Sequence, residues 1–121
     1  MSSLVDVGSV RDLADGEMRS VSVEDKDLLI VRVGGEFFAA DERCPHMGGR
    51  LSKGLLRGTI VTCPRHGSRF DLRDGRVLQW TEATGLALTL VKAVRSPRSL
   101  RTYLVSVREE RILVDLDATG A

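Results

Sequence analysis

Every cysteine and every histidine of this 121-residue chain lies in two short stretches, CPHMGG at 44–49 and CPRHGSRFD at 63–71. Both open on Cys-Pro and carry a histidine two or three residues after the cysteine. Both then place glycine beyond the histidine: Gly48 and Gly49 in the first, Gly67 in the second. Thiolates and imidazoles gathered in this way share a site. Whatever the fold, it must bring together two loops whose ligands are separated by sixteen residues. A Cys44–Cys63 disulfide is the plain alternative, but it leaves both histidines without a role, and two cysteines in a cytosolic chain favour metal or redox chemistry.

The rest of the chain is built of short Val, Leu and Ile runs separated by turn signals, which predicts β structure. Strands are expected at Leu4–Val7, Arg19–Val23, Leu28–Val33 and Glu36–Ala40, with Gly34-Gly35 turning the last two into a hairpin. Ser9–Glu17 reads as a turn or one helical turn capped by Ser9. Ile60–Thr62 delivers Cys63, and Arg69–Leu72 pairs with Arg76–Gln79 around Asp74-Gly75. Leu100–Val107 and Ile112–Leu116 close around Arg108–Arg111. The stretch 82–95, EATGLALTLVKAVR, has apolar residues at 87, 90, 91 and 94 in helical spacing, and also alternates at Leu86, Leu88 and Leu90. A helical insert is the preferred reading.

A net charge of +1 gives no sign of nucleic-acid binding. The first residues carry acids and lack the apolar core of a signal peptide, and no run approaches the roughly 20 apolar residues needed to span a bilayer. A cytoplasmic protein with no membrane partner is expected.

Three metal readings compete for the four ligand residues. Zinc can take Cys₂His₂, but its usual finger order is two cysteines and then two histidines on a helix, whereas here they alternate. Copper with His₂Cys and an axial Met has Met47 at hand but leaves one cysteine unused. A [2Fe–2S] cluster with two cysteines on one iron and two histidines on the other uses all four.

The pattern CPH, sixteen residues, CPRHGSRFD resembles the cluster motif of the Rieske family, Cys-x-His followed by Cys-x-x-His. The likeness continues through LVDVGSVRDLADGE, VGGEFFAADERCPHMGGRLSKG, SRFDLRDGRVL and LRTYLVSVREERILV, in the order of the small Rieske-type ferredoxins. The resemblance implies an all-β fold of antiparallel sheets, a single domain over residues 1–121, and a cluster-binding subdomain at about 42–72. It implies one [2Fe–2S] cluster, with Cys44 and Cys63 on the inner iron and His46 and His66 on the outer. Met47, Leu51 and Phe70 would then cover the cluster, and Gly48, Gly49 and Gly67 would line it.

Within that family the residues separate subtypes. Respiratory members carry an extra cysteine in each loop, joined as a disulfide; the matching positions here are Gly49 and Arg65. Ser68 stands where those members place a serine that donates to a bridging sulfide, and Phe70 where they place a tyrosine that donates to a cysteine sulfur. One donor is kept and one lost, which implies a potential below the respiratory type and above the roughly −400 mV of plant-type ferredoxins. The oxygenase subunits need further histidines for a mononuclear iron, and this chain has none left. An electron carrier is therefore expected, not an enzyme. It would take single electrons from an NAD(P)H-dependent flavoprotein reductase to a terminal oxygenase, a ring-hydroxylating dioxygenase above all. The alternatives are a small subunit of an assimilatory nitrite reductase and a redox-sensing or structural Rieske-like module.

Charge supports a docking face. Residues 41–76 hold eight basic side chains against four acids, and the remainder ten against thirteen. Arg65, between Cys63 and His66, stands at the centre of the expected positive face.

Overall fold

The computed structural model describes residues 4–45, 48–65, 67–80 and 98–118. It forms two antiparallel sheets. The larger contains β1 (Leu4–Ser9), β2 (Met18–Val23), β3 (Lys26–Val33), β4 (Glu36–Asp41), β9 (Thr102–Arg108) and β10 (Arg111–Asp115), in the order β1-β10-β9-β4-β3-β2. The smaller contains β5 (Leu55–Arg57), β6 (Ile60–Thr62), β7 (Arg69–Asp71) and β8 (Val77–Gln79), in sequence order. The expected all-β architecture is what the chain adopts.

The run Leu28-Leu29-Ile30-Val31 shows why β3 is central. All four side chains are buried. Successive side chains of a strand point to opposite faces, and each face here meets a separate core. Leu28 and Ile30 pack with Ala39, Tyr103, Ile112 and Val114. Leu29 and Val31 pack with Ala40, Leu51, Val61, Phe70 and Leu72. The second core joins the two sheets, and Cys44 and Cys63 belong to it.

Local signals place several turns as the sequence predicts. Ser9 caps a 3₁₀ turn at Val10–Asp12: its Oγ accepts from the Arg11 N–H, and Asp12 returns the contact to the Ser9 N–H. Gly34-Gly35 links β3 to β4. Strand β5 is absent from the sequence reading because three residues, LLR, carry too little alternation to register; pairing of Leu55 with Thr62 and Arg57 with Ile60 creates it. The preferred helix at 82–95 lies outside the described residues. Among the described residues no helix is long and apolar enough to cross a membrane.

Asp71 holds the β7–β8 turn. Its carboxylate is 2% exposed, accepts from Thr59 Oγ1 at 3.0 Å and from the Arg73 guanidinium at 2.7 Å, and lies 3.7 Å from Arg76. The Arg73 hydrogen bonds hold it at about 2, well below the usual carboxylate range, against the upward push of burial. A depressed folded-state value gives stability that is present above the ordinary carboxylate range and lost as pH falls toward 2. We expect Asp71→Asn to cost on the order of 1–2 kcal/mol at neutral pH after screening of the exposed arginine, read from urea unfolding. The difference between variant and parent should vanish near pH 2.

Candidate metal centre

The two Cys-Pro stretches fold into the same loop twice. In the first, the Cys44 N–H donates to the Gly49 carbonyl at 2.8 Å, and the Gly48 N–H to the Cys44 carbonyl at 2.8 Å. In the second, the Cys63 N–H donates to the Ser68 carbonyl at 2.8 Å, and the Gly67 N–H to the Cys63 carbonyl at 3.2 Å. The residue four beyond each cysteine is a glycine with nearly the same left-handed backbone, φ +73° at Gly48 and +74° at Gly67. A side chain rarely adopts that region, which is why both stretches need glycine there. These two glycine N–H groups close the loops.

Each loop rises from a tied neck. The first is fastened by Glu42, which is fully buried. Its carboxylate accepts from the Ser52 N–H at 2.9 Å and from the Ser52 hydroxyl, and lies 3.5 Å from Arg50. The Leu51 N–H donates to the Glu42 carbonyl at 2.9 Å. The second loop leaves the β6–β7 ladder between Thr62 and Arg69, and Gln79 Nε2 donates to the Gly67 carbonyl at 2.9 Å.

The loops meet at Gly49. A Cβ on that residue would sit 2.7 Å from Cys63 Sγ and 3.0 Å from Arg65 Cγ. The aliphatic stem of Arg65 thus crosses Gly49, at the pair of positions where the resemblance puts the inter-loop disulfide of respiratory members. Cys44 and Cys63 are not joined in a disulfide, and are 2% and 3% exposed. Two buried, unbridged thiols in one apolar cluster are a donor set that suits a soft metal centre, and the disulfide alternative is not what the chain forms.

Phe70 and Leu51 are fully buried and share the cluster with both cysteines, and Trp80 joins them at 4% exposure. Ser68 is also fully buried, and its hydroxyl donates to the Trp80 carbonyl. A hydroxyl carries one proton, so in this arrangement it faces the protein backbone. His46, Met47 and His66 lie outside the described residues.

The charge count resolves into pairs and remainders. Asp71 pairs with Arg73 and Arg76, and Glu42 pairs with Arg50. Among the described residues no acidic side chain pairs with Lys53, Arg57 or Arg69. Glu42, Asp71 and Gln79 are the positioning residues that sequence reasoning missed. In sequence they look like any surface polar residues, and no local signal marks their burial or reach.

Comparison with known proteins places the same residues in context. The Rieske [2Fe-2S] domain matches residues 3–100. The ferredoxin component of the biphenyl 2,3-dioxygenase of Rhodococcus jostii is 33% identical over 115 residues, 95% of this chain and 94% of that one. The ferredoxin component of the naphthalene 1,2-dioxygenase system of Pseudomonas aeruginosa is 30% identical over 112 residues, 93% and 94% of the two chains. Among solved structures, a chain in the complex of reduced oxygenase and oxidized ferredoxin of carbazole 1,9a-dioxygenase superposes with a TM-score of 0.75. It is 26% identical, covering 98% of this chain and 96% of that one.

Proposed function

The chain belongs to the Rieske [2Fe-2S] domain family, and on that premise we propose that it is the ferredoxin of a ring-hydroxylating dioxygenase system, carrying one electron at a time from an NAD(P)H-dependent flavoprotein reductase to a terminal oxygenase. The observation that carries the reading is the doubled loop: two cysteines, each in a loop closed by the same pair of backbone hydrogen bonds, both buried in one apolar cluster. Full-length relatives that are ferredoxin components of such systems support it.

In this reading Cys44 and Cys63 hold the inner iron, and His46 and His66 the outer. The bound cluster supplies a reversible one-electron store. The chain's own part is to position and shield. Glu42 and the β6–β7 ladder fix the loop necks, and Gly49 keeps the space beside the Cys63 sulfur clear. Leu51, Phe70 and Trp80 exclude water from the inner side, where low dielectric strengthens each contact to the thiolates. No atom is transferred, so no side chain needs to act as acid or base. The single domain with a cluster-binding part at about 42–72 belongs to the same reading, with the strands of the smaller sheet continuing to Gln79.

The test is direct. Protein purified with iron and sulfide should be brown and give an EPR signal of low average g once reduced by NADH and a flavoprotein reductase. It should also support product formation by a ring-hydroxylating oxygenase. Colourless protein that retains zinc would overturn the reading.

A further inference from the structure

The match between the two loops extends to one contact that reaches each from a side chain. The glycine four residues after each cysteine, Gly48 or Gly67, donates its N–H to that cysteine's carbonyl. The residue after it, Gly49 or Ser68, accepts the cysteine's N–H. The carbonyl of the left-handed glycine takes no part in this closure. In both loops it accepts from a side chain instead: Gly48 from Arg43 Nη1 at 3.2 Å, and Gly67 from Gln79 Nε2 at 2.9 Å. The donors differ in chemistry and in their place in the chain, yet each meets the equivalent carbonyl. Glycine leaves its own peptide free to turn, and a side-chain donor removes that freedom next to the ligand stretch.

The two contacts are not equal. Gln79 ends β8 in register with Arg69 of β7, so its amide is mounted on the sheet. The next residue, Trp80, accepts from the Ser68 hydroxyl. Two consecutive residues of one segment thus hold two consecutive residues of the second loop. Gly67 is buried, and a buried acceptor that loses its donor bears the full cost of the unmade bond. Arg43 is exposed and sits on the first loop's own neck, bridged to Arg50. Gly48 is only half-buried, so water can replace the guanidinium there. The first loop is held instead through the buried Glu42 carboxylate on Ser52.

We propose that Gln79 is the positioning residue of the second loop: its amide holds Gly67, the residue that follows the ligand His66, and the metal centre depends on it, whereas the matching Arg43 contact is dispensable. The assignment rests on the cluster ligation argued above. It gives the neutral amide at the end of β8 the larger role, and the arginine beside Cys44 the smaller one.

The experiment uses the cluster-loaded full chain. Gln79→Met removes the donor at nearly constant size. Gln79→Arg keeps a donor, and gives the second loop the group that the first already uses. Arg43→Met removes the donor of the first loop. Gly58→Ala, in the β5–β6 turn at φ +56° with nothing within 4 Å of the added Cβ, is the control for a loss of stability in the same sheet. Iron release to a chelator is timed under native conditions, and the EPR spectrum of the reduced protein is recorded. Gln79→Met should release iron about tenfold faster or more, and its EPR lines should shift or broaden. Gln79→Arg, Arg43→Met and Gly58→Ala should stay within about twofold of the parent and keep its EPR lines. Gln79→Met that holds iron as the parent does would overturn the assignment and leave the cluster standing. Equal losses in Gln79→Met and Gln79→Arg would overturn the donor role, and equal losses in Gln79→Met and Gly58→Ala would reduce Gln79 to a support of the sheet. Arg43→Met as damaging as Gln79→Met would overturn the inequality of the two contacts. Parent protein that binds no iron would overturn the cluster ligation, and the role of Gln79 with it.

Discussion

Replacing Gly49 by alanine should leave the chain folded and strip it of most of its iron. The added Cβ lands 2.7 Å from Cys63 Sγ, a separation that real side chains essentially never show. It also comes within 3.1 Å of the Arg65 stem, but that stem is exposed at its end and can swing away. Cys63 cannot. Its N–H and carbonyl are both engaged within its own loop, and its side chain is 3% exposed in the apolar cluster. The strain therefore falls on the sulfur position, which in the proposed function is that of a metal ligand and must not move. Disturbing the groups that orient a metal ligand costs about 10–100-fold in metal affinity, and a loss of that size is the expected result. Iron and sulfide analysis with the visible spectrum reads it, and far-ultraviolet circular dichroism checks the fold. Combining Gly49→Ala with Arg65→Ala should restore nothing, because only the stem contact is relieved. A Gly49→Ala protein with its full complement of iron would refute the crowding at Cys63.

The largest loss of stability is expected at Gly75. Its φ is +80°, and a Cβ there would lie 2.0 Å from the Leu100 carbonyl oxygen and 3.2 Å from Thr102 Cγ2. The same residue receives the Leu100 N–H at 2.8 Å and donates to the Asp71 carbonyl at 2.6 Å. It is the point where the β7–β8 turn of the smaller sheet is tied to the chain entering β9 of the larger. Alanine adds left-handed strain to a backbone collision and threatens the inter-sheet hydrogen bond. We expect a cost of about 3 kcal/mol or more and a fall in Tm of roughly 12 °C or more. Gly58 is the internal control. Its φ is +56°, but nothing lies within 4 Å of its would-be Cβ, so alanine there should cost only about 1 kcal/mol. Equal losses at the two positions would show that the collision at Leu100 is not real.

Some features were legible before any fold was known because their causes are local. Ser9 and Asp12 are three residues apart and cap a single turn whatever surrounds them. Gly34-Gly35 between two apolar runs makes a hairpin from its own backbone freedom. The pairing of Cys44 with Cys63, and the glycines after them, follows from ligand chemistry and spacing. Family membership followed from the same few letters.

Other features depend on residues that are distant in the chain, and no local pattern encodes them. Counting charges made Glu42 and Asp71 ordinary members of a net-positive stretch. The fold buries both and pairs them with Arg50, Arg73 and Arg76. Arg43, Lys53, Arg57 and Arg69 are left without an acidic partner among the described residues. Leu55 looked like one more apolar residue, until pairing with Thr62 turned it outward and Leu56 inward. The sequence by itself determined the two matched loops and the family they belong to, because residue type and spacing are written along the chain. Only the tertiary structure decided that Gly49 stands against the Cys63 sulfur, and which cations are left facing solvent. Those are distances between separate loops and strands, set when two sheets close on a shared core.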